Sequence, residues 1–406
     1  MPPSSPGRSS ASGDARAGVH SPAVKRLALW LTLPAALLAS AAAPTSAAAR
    51  GAVGTDVPAL EAPAYLIENP RTHEVLASKD AREPRAIASI TKLMTVLVAL
   101  RHLRPQQVVT VSRSAANVGE STIYLQRGDQ LTVRDLALAA LIQSANDAAD
   151  ALADAASNGD RALFVGWMNA EARALGMSGT HFARPDGLDA PGHVSTARDV
   201  TLLAQVAMRN PLVRRAVAMR SAEIEGGRTL DTWDDLLGVF PGLHGVKTGH
   251  TDDAGWCQVA VVSRPGITLY ATVLGDPTRA QRNQDLAALL RYGLSRYRLA
   301  RVLDPSTALA RVPTDYGRAP VELRAARALT ASVRVDRPLV ERLVLPTRLA
   351  LPVKRGQRVG EIRLYSNGRL VGKRALVVAR SVSRPGPVGR AEWYAGRTVH
   401  KLFGWL

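Results

Sequence analysis

The stretch Ala88-Ser89-Ile90-Thr91-Lys92-Leu93-Met94-Thr95 decides how this chain folds and what chemistry it can hold. Ile90, Leu93, Met94, Val96, Leu97 and Leu100 recur at the three-to-four spacing of an apolar helical face. That spacing predicts a helix from Ser89 onward, with Ser89 and Lys92 one turn apart. A serine hydroxyl is a weak nucleophile near neutral pH, and a partly desolvated lysine is one of the few side chains able to take its proton. An isolated SxxK usually means a capping serine followed by a surface lysine. Here lysine occurs only at Lys25, Lys79, Lys92, Lys247, Lys354, Lys373 and Lys401, and arginine supplies nearly all the basic charge, so chance SxxK matches are rarer.

The chain of 406 residues is long enough for two domains with sizeable cores, and its 46% hydrophobic content is that of a globular protein. A net charge of +18 suits nucleic acid, an anionic membrane or an acidic polymer. There is no aromatic-interleaved basic stripe or zinc-finger spacing, so nucleic acid is not an expected partner. Cys257 is the single cysteine, which excludes an internal disulfide and a multi-cysteine metal site. Its flanks, Trp256 and Val259 to Val262, read as a buried strand holding an inert thiol. No motif calls for a metal or a cofactor.

At the N-terminus Lys25-Arg26 leads into the apolar run Leu27 to Leu38, followed by small residues through Ala41-Ala42-Ala43 and Ala47-Ala48-Ala49. Residues 1–49 therefore read as an export signal removed near residue 43 or 49, with an uncleaved anchor as the alternative. The apolar run is short for a span and holds Pro34. Either reading puts the working chain outside the cytoplasm.

Residues 64–79 read as two strands around an Asn69-Pro70 turn, an antiparallel hairpin. A short strand is expected over Val108 to Ser112, and Thr132 opens a helix that breaks at Gln143-Ser144-Ala145-Asn146. Ser144 and Asn146 at such a break can both face one cleft, although SxN alone is more often capping. Helices fit Phe164 to Leu175 and Thr196 to Met208, the second with Thr196 and Asp199 as a capping box. Lys247-Thr248-Gly249-His250 precedes two strands, Cys257 to Ser263 and Ile267 to Leu274, and a helix from about Thr278 to Tyr297.

Near residue 301 the pattern changes to short alternating runs, with a turn at Ser366-Asn367-Gly368, which predicts a small all-β domain over 301–384. In the segment 385–406, Val388, Ala391, Ala395, Val399, Leu402, Phe403 and Leu406 fall at helical spacing. Trp393, Tyr394 and Trp405 join them beside Arg390, Arg397, His400 and Lys401. A basic amphipathic helix with tryptophans suits a membrane interface; the alternative is a helix docked on the β domain.

Ser89xxLys92, Ser144xAsn146 and Lys247-Thr248-Gly249, in that order, resemble the triple motif of penicillin-binding proteins and class A β-lactamases. Phe164-Val165 with Met168-Asn169, Leu175-Gly176-Met177, Ser195-Thr196-Ala197 with Asp199, and His250-Thr251-Asp252 with Ala254-Gly255 narrow the match. Together they resemble the low-molecular-mass D-alanyl-D-alanine carboxypeptidases, from about residue 62 to the C-terminus. The resemblance implies an α+β catalytic domain over 50–300, an antiparallel sheet with helices on both faces and a helical subdomain. It also implies the β domain and a terminal anchor on the periplasmic side of the cytoplasmic membrane.

The same resemblance implies that Ser89 attacks the penultimate D-alanine of a peptidoglycan stem pentapeptide and that Lys92 takes its proton. Ser144 relays a proton between Lys92 and the leaving amine, and Asn146 holds the substrate amide. Lys247 and Thr248 meet the terminal carboxylate, Gly249 lets the substrate backbone approach, and the NH groups of Ser89 and His250 form an oxyanion hole. β-Lactams are implied as covalent inhibitors. Family members can carry a carboxylate-binding arginine where this chain reads Gly275-Asp276-Pro277-Thr278-Arg279, so Arg279, or else Arg282, is expected to substitute.

A class A β-lactamase also needs an ExxLN carboxylate, and none occurs between Asn146 and Lys247. A related D,D-endopeptidase shares all three motifs. A silent peptidoglycan- or β-lactam-binding module needs neither nucleophile nor lysine, and both are intact.

Overall fold

The hairpin expected over 64–79 forms β1 (Ala64–Asn69) and β2 (Glu74–Lys79), with Asn69 Oδ1 accepting from the Arg71 N–H at 3.0 Å in the turn. The protein is described here by a computed structural model over residues 56–403. The expected export segment and residues 404–406 lie outside the described residues. Three further strands, β3 (Leu243–Thr251), β4 (Gly255–Arg264) and β5 (Ile267–Asp276), complete a sheet of order β2-β1-β5-β4-β3 in which every pairing is antiparallel.

Side chains alternate across a strand, so each strand of this sheet serves two cores. In β5, Leu269, Ala271 and Val273 enter one core, and Tyr270 and Leu274 enter the other. The first core is closed by α6 (Arg279–Ser295) through Leu286, Leu289 and Leu290. Across the sheet, α1 (Lys92–His102) and α5 (Ala197–Ala207) bring Leu93, Val200 and Ala204. The same core continues into α2 (Val133–Leu141), α3 (Asn146–Ser157) and α4 (Arg161–Leu175), which form the helical part beyond the sheet. Helix starts follow the sequence: Thr132, Thr196 and Thr278 accept from the N–H three residues on, at 3.1, 3.0 and 3.1 Å.

Two local features depart from expectation. Ser89 lies in a 3-10 turn (Ala88–Thr91), and α1 begins only at Lys92. The turn holds Ala88 at φ +48°, and Gly187 approaches it so closely that a Cβ there would overlap the Ala88 carbonyl oxygen. A small hairpin, Ser221–Ile224 with Arg228–Asp231, occupies a segment with no sequence period to announce it.

After α6 the chain runs as Tyr297–Leu303, paired with Leu329–Arg334, and as a five-stranded antiparallel sheet. The order there is Ala308–Val312, Val321–Ala325, Arg369–Val378, Arg358–Ser366, Val340–Val344, around a core that includes Leu323, Ile362 and Leu376. A final helix, α7 (Pro387–Phe403), sets Trp393 edge-on to Tyr316 at 5.3 Å. Among the described residues no helix is long and apolar enough to cross a membrane.

Candidate active site

β3 is an edge strand of the main sheet, and the Ser89 turn packs directly on it. An ideal Cβ on Gly249 would lie 2.8 Å from the Ile87 carbonyl oxygen and 3.1 Å from the Ser89 nitrogen. Gly249 was expected to leave room for the substrate backbone. The structure adds a second reason: only a glycine lets β3 touch the backbone that carries the serine.

Lys92 opens α1 with no exposed surface. Its Nζ donates to Ser89 Oγ at 2.7 Å, to Asn146 Oδ1 at 2.7 Å and to the Asp186 carbonyl oxygen at 2.6 Å. Burial lowers its pKa to about 8, against an opposing pull from Asp186 and from Asp150, Glu120 and Asp147. Asp186 is itself fixed by Arg184, whose guanidinium reaches both carboxylate oxygens at 2.6 and 2.7 Å.

The break between α2 and α3 places Ser144 at φ +66° and brings Asn146 to the first position of α3. Asn146 was expected to hold substrate. Its carboxamide accepts from Lys92 and donates to the Gly119 carbonyl oxygen at 2.9 Å, which orients Lys92 and leaves the amide one further N–H. Ser144 Oγ accepts from Lys247 Nζ at 2.8 Å and has no hydrogen bond to Lys92. Lys247 is buried on β3 and also donates to the Thr248 carbonyl oxygen at 3.0 Å. Burial pushes its pKa well below the ordinary lysine value, and the positive charges of Lys92 and Arg282 push the same way.

Ser89, Ser144, Thr248, Gly249 and His250 line one cavity of about 210 Å³, together with Trp233, Trp256 and Arg282. His250 stacks on Trp256 at 4.1 Å. The arginine expectation needs correction. Arg279 does not line the cavity; its guanidinium is tied to Asp235 at 2.5 and 2.7 Å and lies 5.1 Å over Trp233. Arg282, three residues on along the same helix, is buried and does line it, with its guanidinium 5.6 Å over the Trp256 ring. Trp233 was missed altogether, because it sits in a loop whose only sequence signal is a tryptophan among polar residues.

A family model described as D-alanyl-D-alanine carboxypeptidase matches residues 52–278. The carboxypeptidase DacC of Escherichia coli is 32% identical over 384 residues, covering 89% of this chain and 94% of that protein. Among solved structures, penicillin-binding protein 6B from Escherichia coli superposes with a TM-score of 0.60 at 29% identity, over 79% of this chain and 96% of that one. Penicillin-binding protein D2 from Listeria monocytogenes, solved in its ampicillin-bound form, gives 0.53 at 33% identity over 58% of this chain and 98% of that one. The family match spans more than half of the sequence and includes every residue named in the cavity except Arg282, and the chain belongs to the serine D-alanyl-D-alanine carboxypeptidase family.

Proposed function

We propose that Ser89 is the residue acylated when this carboxypeptidase removes the terminal D-alanine of a peptidoglycan pentapeptide. The carrying observation is the wholly buried Lys92 ammonium, 2.7 Å from Ser89 Oγ. When Lys92 loses a proton, the Ser89 hydroxyl turns to donate to the free lone pair, and the oxygen is ready to attack the carbonyl. The Ser89 and His250 NH groups stabilise the oxyanion, and free D-alanine leaves. Lys247 supplies the proton for the leaving amine through Ser144, to which it is hydrogen-bonded; on deacylation the attacking water gives a proton back along the same path, and Lys92 returns its proton to Ser89. Thr248 and Arg282, with Lys247 behind them, supply the polar and positive surface for the terminal carboxylate. Water then hydrolyses the acyl-enzyme.

The test is release of free D-alanine from a pentapeptide ending in D-Ala-D-Ala by the purified chain, beside Ser89→Ala. Release by the wild type alone is expected. Release that persists in the variant removes Ser89 from the mechanism.

By analogy with the ampicillin-bound Listeria protein, Ser89 also takes β-lactams covalently. The reading extends to the cell: export through residues 1–49, a catalytic domain over 50–300, an all-β domain over 301–384, and peripheral anchoring to the periplasmic face of the membrane by 385–406. The exposed Val388 and Tyr394 on α7 support the anchor. Deleting 386–406 is expected to move the exported protein from the membrane to the soluble fraction, and unchanged fractionation contradicts it.

A further inference from the structure

The charge of this chain is unevenly placed. Residues 297–406 hold 22 Lys and Arg against 7 Asp and Glu, whereas residues 56–296 hold 25 against 26. Where the two regions meet, a cavity of about 330 Å³ lies between the turn of the first hairpin and the strands of the C-terminal region. Four arginines line it: Arg71 from the β1–β2 turn, and Arg334, Arg337 and Arg369 from the C-terminal region. None of its lining residues is shared with the Ser89 cavity.

Two of these arginines are already used. The Glu74 carboxylate accepts from Arg334 at 2.6 Å and Arg337 at 2.8 Å, and Arg334 is further bound to Asp336. That cluster clamps the two regions together. Arg71 and Arg369 are different: both are exposed, and among the described residues neither guanidinium has a hydrogen-bond or ion-pair partner. The Thr72 hydroxyl on the same wall is buried without a partner. Glu74 and Asp336 offset Arg334 and Arg337, so Arg71 and Arg369 leave the cleft net positive inside a strongly positive region.

We propose that this cleft binds a phosphate-bearing ligand of headgroup size. A phosphate offers several acceptor oxygens to the unpaired guanidinium forks of Arg71 and Arg369 and to the Thr72 hydroxyl, which line the same cleft. The cavity volume lies at the lower end of the range for small-molecule sites. The phosphate belongs to a phospholipid headgroup or to a soluble phosphate ester, and the two sources are separable.

Calorimetric titration of the full chain with glycerol 3-phosphate is compared for the wild type, Arg71→Gln/Arg369→Gln, and a control, Arg355→Gln/Arg380→Gln, which removes the same charge from exposed positions outside the cleft. The wild type is expected to bind saturably and the cleft variant at least about tenfold more weakly, the loss expected for charged hydrogen bonds. The control stays within about twofold, and D-alanine release is unchanged in all three. Absence of saturable binding, equal binding by the cleft variant, or an equal loss in the control overturns the proposal. In a parallel arm with phosphatidylglycerol vesicles, a matching loss in the cleft variant assigns a lipid headgroup. Unaltered vesicle binding beside lost glycerol 3-phosphate binding assigns a soluble ester.

Discussion

Lys92 Nζ stands 2.7 Å from Ser89 Oγ, with Asn146 Oδ1 and the Asp186 carbonyl oxygen as its other acceptors. Three ammonium protons meet three oxygens, so the charged lysine is well held although it has no contact with water. Burial alone would push it far toward neutrality, and the surrounding carboxylates pull it back to about 8. Lys92 is therefore protonated most of the time near neutral pH, and its buried charge is not stranded.

The first prediction concerns this balance. Only neutral Lys92 can accept the serine proton, so the acylation rate should rise with pH through about 8, by roughly tenfold between pH 7 and 9. Lys92→Arg should abolish that limb and lower kcat/KM about 10²- to 10⁴-fold, since a guanidinium does not give up its proton. The measurement is the pH profile of β-lactam acylation. A wild-type profile flat from pH 6 to 9 contradicts the assignment.

The two arginines at the start of α6 give a second prediction. Arg282 faces the cavity and Arg279 is held by Asp235 outside it. Arg282→Gln should reduce kcat/KM on the pentapeptide about 10- to 100-fold, the loss of a charged hydrogen bond to the terminal carboxylate. Arg279→Gln should stay within about twofold. The reverse order of effects would return the carboxylate to Arg279.

These arginines mark how far the sequence was legible. Ser89, Lys92, Ser144, Asn146, Lys247, Thr248 and Gly249 stand in short motifs at element junctions, where local spacing fixes the side chains that can meet. The strand pattern of Cys257 to Leu274 and the threonine caps were readable for the same reason. Arg279 and Arg282 are one turn apart on one helix and both reach Asp235, and only the tertiary packing, which buries Arg282 against Trp256 and leaves Arg279 over Trp233 at the surface, decides which one lines the cavity. The 3-10 turn at Ser89 was equally hidden, since the backbones of Gly187 and Gly249, which lie too close to it to admit a Cβ, come from distant parts of the chain. The partners of Asn146 and Ser144, Lys92 with Gly119 for the first and Lys247 for the second, were not readable because hydrogen bonds, unlike proximity, do not follow from spacing.

Gly249 yields the third prediction. A methyl group there would overlap the Ile87 carbonyl oxygen, a backbone atom that cannot rotate away. Gly249→Ala should cost about 1–3 kcal/mol of stability through overpacking. It should also displace the Ser89 turn and slow acylation about 100-fold, the effect of an ångström-scale misplacement. Denaturant unfolding and a β-lactam acylation assay on the same sample separate the two effects. Wild-type acylation would show that the turn does not depend on this contact.

The fourth prediction is a stability effect with a defined sign. Asp276, at the end of β5, is fully buried beside the Asp285 carboxylate, and burial together with that neighbour pushes its pKa up to about 8. In the unfolded chain a carboxyl titrates near its ordinary value of about 3.8. Between these values the folded state holds a proton that the unfolded state has lost, so stability falls as pH rises from about 4 to about 8. Above that range both states are ionised and the penalty is complete. Asn at this position keeps the shape and offers Asp285 an N–H donor without any charge to desolvate. Asp276→Asn should therefore raise the Tm at pH 8, by about 2–4 °C for each 1 kcal/mol of penalty removed. At pH 4, where Asp276 is already protonated in the folded state, the gain should largely vanish. Thermal unfolding of both proteins at the two pH values is the check; a Tm difference independent of pH would show that the Asp276 carboxyl is not protonated in the folded state.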